Sequence, residues 1–256
     1  MKSPDAIDLD RPRSIGDILS GALGLYRRYP WLFAILALGV IAPYDLAVLA
    51  VTGSGPLATG SHQNTEGYLL LMLLNLSLVG PLISALHVHA VVRIGEGSRP
   101  RAGEVAARGL QVLPVVVAAE VMATLGIALG FLALIVPGVL LSLRWAVVAQ
   151  AAAIEQEGWL PALRRSGHLT RGHYWRIFGL LLLTGLLTAG LMRGAAAIPL
   201  GSSAGAGSVA LGIVVHTLTA SFAALTFALL YFDLRVRMAQ PAARSTPEYQ
   251  YLRDLD

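Results

Sequence analysis

Leu113 to Ile154 is an unbroken apolar run whose only ionisable residues are Glu120 and Arg144. As one helix it would extend roughly 60 Å at 1.5 Å per residue, about twice the ~30 Å hydrocarbon core of a bilayer. It must therefore fold back on itself, and Pro137-Gly138 marks the predicted break. Four more apolar runs flank this hairpin: Trp31 to Val51, Tyr68 to Val92, Ile177 to Ala197 and Val209 to Phe232. With the two hairpin arms they make six spans, which places both termini on one side of the membrane.

Each outward-going pair of spans follows a short amphipathic segment. Ser14 can cap a helix with Asp17 three residues on, and Ile15, Ile18, Leu19, Ala22 and Tyr26 recur on one face until Pro30 ends it. Ala102 to Val112 and Trp159 to Leu169 mix apolar positions with arginine in the same way. Such segments predict helices lying in the headgroup plane. The fold class predicted is all-α: a polytopic membrane protein of six transmembrane helices in three hairpins, each preceded by a short cytoplasmic interfacial helix. Residues 1–30 form a cytoplasmic N-terminal segment, 31–235 the membrane domain, and 236–256 a flexible cytoplasmic tail.

Composition strengthens the assignment. The chain is 55% hydrophobic and 13% charged, with mean hydropathy +0.66, against about 25% charged residues in soluble domains. The absence of cysteine excludes disulfides, thiolate nucleophiles and Cys-based metal sites. Net charge is +4. Seventeen of the nineteen basic residues fall in the N-terminal segment, in the second-to-third and fourth-to-fifth connections, and in the tail. That asymmetry predicts a multi-pass protein of the plasma membrane with both termini cytoplasmic, and it accounts for the charge without nucleic acid. Trp31, Trp159 and Trp175, with Tyr29 and Tyr174, fall where an aromatic belt belongs.

Candidate chemistry is sparse. Glu120 and Arg144 reach similar depth in antiparallel arms and are predicted to form an intramembrane charge pair. Asp45 and His216 lie in the outer halves of their spans, where they could form a polar pair. Arg171, Tyr174, Trp175 and Arg176 make a basic aromatic edge suited to lipid headgroups. Asp233 and Arg235 read as a solvated pair where the last span ends. Ala119, Ala123, Gly126 and Gly130 form a small-residue stripe that serves either internal helix packing or association with a second copy. His87 and His89 are about 200° apart around a helix and cannot chelate one metal. No metal site, cofactor or nucleophile-base arrangement is recognisable.

The string SLRWAVVAQAAAIEQEGWLPALRRSGHLTRGHYWRIFG, Ser142 to Gly179, resembles the signature region of the bacterial glycerophosphoryl diester phosphodiesterase membrane-domain family. Arg11 to Tyr29 and Leu229 to Ala239 are similar to that family's two ends. In its full-length enzymes the diesterase chemistry resides in an appended soluble barrel, which this sequence does not contain. The resemblance implies a stand-alone membrane module that acts with separately encoded partners. The expected role is a non-enzymatic accessory or scaffold module binding an anionic lipid headgroup or an unidentified membrane or cytoplasmic protein. The alternative is a transporter of a small solute or lipid that uses the intramembrane charges.

Overall fold

The computed structural model describes residues 8–58 and 64–244, which form helices and connecting turns with no strand among them. Helix α1 (Ile15–Arg28) opens on the expected reciprocal cap. The Asp17 amide donates to Ser14 Oγ at 3.0 Å and the Ser14 amide to Asp17 Oδ2 at 2.9 Å. These bonds, the Ser14 backbone N–H first, hold the Asp17 carboxyl below its usual range. The cap is therefore complete above that range and is lost as pH falls through the lowered value. Ile18, Ala22 and Leu25 form the buried face of α1.

After Tyr29, Pro30 begins α2 (Pro30–Thr52), where its missing N–H costs nothing because the first helical amides have no intrahelical acceptor. Helix α3 (Thr65–Leu74) runs through a π-helical turn, Asn75–Val79, into α4 (Gly80–Gly95). The turn precedes Pro81, which cannot donate to the carbonyl one helical turn back, so the chain widens there instead of breaking.

Two expected boundaries differ. Ala102 to Val112 is no separate helix, because α5 runs continuously from Ala102 to Ala133 through Pro114. Its buried positions Val105, Gly109, Val112, Val116, Ala119 and Ala123 keep one alternating three- and four-residue spacing across that proline. The break in the long apolar run falls at Leu134, whose backbone is extended (φ −165°, ψ 156°), and not at Pro137-Gly138. A helix continuing through that point would set the Pro137 ring against the carbonyl of Ala133, so the chain stops before it. Pro137 then occupies the first turn of α6 (Ile135–Arg144).

Short α7 (Val148–Glu155) and α8 (Trp159–Thr170) follow, then α9 (Tyr174–Ala196) and α10 (Ala206–Arg244). Helix α10 continues past Met238 to Arg244, so no flexible tail begins at 236; the rest of that expectation, residues 245–256, lies outside the described ones. Helix α10 is the central element and packs on α1, α2, α4, α7, α8 and α9. Leu225, Leu229, Leu230 and Tyr231 on it are at most 1% exposed.

Among the described residues, six helical segments are long and apolar enough to cross a membrane: 30–52, 65–95, 102–133, 135–155, 174–196 and 206–240. Leu129, Leu132, Leu134, Ile135 and Leu186 are exposed on their outer surfaces. Such a surface is matched to a lipid bilayer and would aggregate in water.

Candidate functional site

Polar side chains gather where the helices bearing most of the arginines end. Asp233, fully buried near the end of α10, collects donors from three parts of the chain. Arg176 Nη2 of α9 lies 3.0 Å from Asp233 Oδ2, and Arg237 Nε donates to both carboxylate oxygens at 3.1 and 3.0 Å. The Arg13 amide, just ahead of α1, donates to Asp233 Oδ1 at 2.6 Å. The Arg13 carbonyl accepts from Arg237 Nη2 at 2.8 Å and from Arg176 Nη2. One carboxylate thus ties the N-terminal segment to α9 and α10. Desolvation and the charge of Arg11 hold the Arg13 guanidinium below its ordinary value, partly offset by Asp233. The expected solvated pairing of Asp233 with Arg235 is not formed. Arg235 turns away and stacks over the rings of Tyr231 and Phe232, 5.7 and 5.9 Å from their centroids.

Beside this hub, Glu155 Oε1 accepts from Tyr231 Oη at 2.9 Å and from Arg165 Nε at 2.7 Å, which joins α7, α8 and α10. In the first cluster the carboxylate is buried and its arginines are partly exposed; in the second, Glu155 and Arg165 are both partly exposed. Both clusters work as structural ties.

The structure does not bring Glu120 and Arg144 together. No hydrogen bond or ion pair joins Glu120 to any described residue, and Arg144 is exposed. The cause is local: α6 ends at Arg144, whose carbonyl accepts from Ser166 Oγ and Thr170 Oγ1 of α8, both at 3.0 Å. The Arg144 side chain lies across Gly167, where an added Cβ would come within 2.8 Å of its Nε. Glycine is the residue that permits this approach.

Arg144 therefore enters a different constellation. With Gly167, His168, Arg171 and Tyr174 it lines a cavity of about 340 Å³ that no carboxylate lines. Of the basic aromatic edge expected from the sequence, Arg171 and Tyr174 belong to this pocket and Trp175 projects beside it, 87% exposed. Arg176 is withdrawn to Asp233, so the edge as expected is corrected: Arg144 and His168 stand in its place. Two guanidiniums, an imidazole and a phenol on one concave surface can hold an oxyanion.

No known family model, curated protein or solved structure matches this chain.

The remaining expected residues fall elsewhere. His216 Nδ1 lies 3.0 Å from Asp45 Oδ1, with Asp45 buried between α2 and α10 and Tyr44 edge-on to the imidazole. Ala119, Ala123, Gly126 and Gly130 line the seam of α5: an added Cβ at Gly126 would meet the Trp145 ring at 2.5 Å, and one at Gly130 the Gly138 Cα at 3.0 Å. The stripe is occupied from within the chain. His87 is fully buried, its Nδ1 2.8 Å from the Ile83 carbonyl and its Nε2 2.9 Å from Ser221 Oγ. No group of three or more metal-ligating side chains occurs among the described residues.

A second, larger cavity of about 850 Å³ opens among the ends of α4, α5, α7 and α10 and includes His89, Arg93, Arg108 and Arg235. The sequence offered little signal for it, since its arginines read as topology markers. The Asp233 hub left a trace in the i, i+4 spacing of Asp233 and Arg237, which is the spacing of a helical ion pair.

Proposed function

We propose that this chain is a non-enzymatic accessory module of the plasma membrane that holds an anionic lipid headgroup at the Arg144–Arg171 pocket. The reading rests on one observation: the pocket gathers two arginines and a histidine without a carboxylate beside an exposed tryptophan. Guanidiniums bind phosphate oxygens through two parallel N–H bonds, and tryptophan favours the headgroup level of a bilayer. The arginine-rich end is cytoplasmic in this proposal, with α1 and α8 at the inner surface, where they present the module to a membrane or cytoplasmic protein. The membrane spans pair as hairpins, and the module is a stand-alone relative of the glycerophosphoryl diester phosphodiesterase membrane domains.

Native mass spectrometry of the detergent-released protein tests the lipid reading. Phosphatidylglycerol should be retained over phosphatidylcholine, and Arg144→Gln with Arg171→Gln should weaken retention by roughly tenfold or more, the size of one or two charge-assisted hydrogen bonds. Gly167→Leu should act in the same direction by displacing Arg144 from α8. Equal retention of both lipids, or retention indifferent to all three substitutions, removes the pocket from the argument. Substrate-dependent flux in reconstituted liposomes would replace the accessory role with transport.

The orientation has its own test, because there is no native cysteine to interfere. A cysteine at Ser203 should react with an impermeant maleimide from outside intact cells, and one at Ser98 only after lysis. The opposite pattern reverses the topology.

A further inference from the structure

The larger cavity has features that the lipid pocket lacks. Its size, about 850 Å³, falls within the range of small-molecule sites, and Val92, Val105, Ile154 and Phe232 give it an apolar floor. His89 of α4, only 9% exposed, lines it with Nε2 buried and without a hydrogen-bond partner. Most buried polar atoms in folded proteins are paired, and an unpaired one on a cavity-lining side chain is a contact that a ligand can fill once the ring turns toward it.

The charges around it are unequally committed. Arg93 is shared between Glu96 and Glu104, at 3.7 Å from each, and Arg101 adds a second cation 3.8 Å from Glu104. Arg108 and Arg235 have no carboxylate partner among the described residues, although both line the cavity. Arg108 is close enough to His89 to act on it electrostatically. Asp10, Glu96 and Glu104 also line the cavity; Arg93 and Arg101 engage the two glutamates, which leaves Asp10 as the uncommitted carboxylate against the guanidiniums of Arg108 and Arg235.

We propose that this cavity binds a phosphate-bearing small molecule, its phosphate held by Arg108 and Arg235 with the imidazole of His89 beside them, and its organic part lying on the apolar floor. Two guanidinium forks and an imidazole donor suit a tetrahedral group with several acceptor oxygens better than a single carboxylate. Arg235, already stacked on Tyr231 and Phe232, is fixed in place before the ligand arrives. The site is separate from the Arg144–Arg171 pocket and does not depend on what that pocket holds.

Two probes distinguish the sources of such a phosphate: inorganic pyrophosphate for a soluble ligand, and a short-chain phosphatidic acid for a lipid headgroup. Either should raise the melting temperature of the full chain in nanodiscs. Arg108→Gln and Arg235→Gln should each weaken binding roughly tenfold. Both arginines are exposed, so their loss does not open the core. In the unmodified chain, hydrogen exchange should slow at residues 89–96 and 104–108 when the probe is present. Stabilisation by pyrophosphate that both substitutions weaken assigns a soluble phosphate, and stabilisation by phosphatidic acid alone that the same two substitutions weaken assigns a headgroup to this cavity and not to the Arg144–Arg171 pocket. If neither probe stabilises the chain, if binding survives both substitutions, or if exchange is unchanged in those two segments, the proposal fails.

Discussion

Asp233→Ala is expected to cost about 3–5 kcal/mol and to release the N-terminal segment from the bundle, because it strands cations around a fully buried site. Arg176 and Arg237 would lose their counter-charge, and the Arg13 amide its acceptor. Asp233→Asn should cost less, since an amide oxygen can still accept from the Arg13 amide while the charge is removed. The effect should also be local at first. Trypsin should cut after Arg13 in the alanine variant faster than in the parent, before α10 itself is lost; the Arg11–Pro12 bond resists it in both. A cycle of Asp233→Ala with Arg176→Ala should be strongly non-additive, because each residue is the other's partner. An alanine variant that melts and resists trypsin like the parent would show that the hub contributes nothing.

The reach of this hub explains why the sequence concealed it. Arg13 and Asp233 are 220 residues apart, and no local pattern relates them. Local pattern reveals features decided within one or two turns: the Ser14–Asp17 cap, the end of α1 just ahead of Pro30, and the apolar runs that become six long helices. Arg144 shows the opposite case. Its depth followed from treating Leu113 to Ile154 as two straight arms, but α6 stops at Arg144 and the hydroxyls of Ser166 and Thr170 close over its carbonyl. A helix end created by contacts from a later element leaves no mark in the helix itself. The error then moved a candidate site: Arg144 left Glu120 and joined Arg171, while Arg176 left the same edge for Asp233.

The cavity around His89 was hidden for a different reason. Arginine at the ends of apolar spans serves topology in any membrane protein, so arginines that line a cavity look the same in sequence as those that do not. What separates them is the neighbouring histidine. His89 is nearly enclosed and unpartnered, while His87, two residues earlier on the same helix, is satisfied by Ile83 and Ser221. The 200° between them turns one into the core and the other toward the arginine-rich end.

Gly130→Leu is expected to be the most damaging substitution in the α5–α6 seam and to lower the melting temperature without altering oligomeric state. An added Cβ at Gly130 would stand 3.0 Å from Gly138 Cα and 3.1 Å from its amide nitrogen, so the obstacle is backbone that cannot rotate aside. Gly138 is equally confined, because its own Cβ would meet the Phe131 ring at 2.4 Å. The two helices would have to separate near the turn at Leu134, where they lie closest. Overpacking of this kind costs about 1–3 kcal/mol where side chains can shift, and more where only backbone can move. Gly126→Ala should be milder, since its obstacle is the Trp145 ring, a side chain that can yield. If the stripe served association with a second copy, Gly130→Leu would instead reduce the particle mass and spare the melting temperature. Light scattering and thermal unfolding on the same sample separate the two outcomes, and a lower mass with unchanged melting would assign the stripe to an interface between copies.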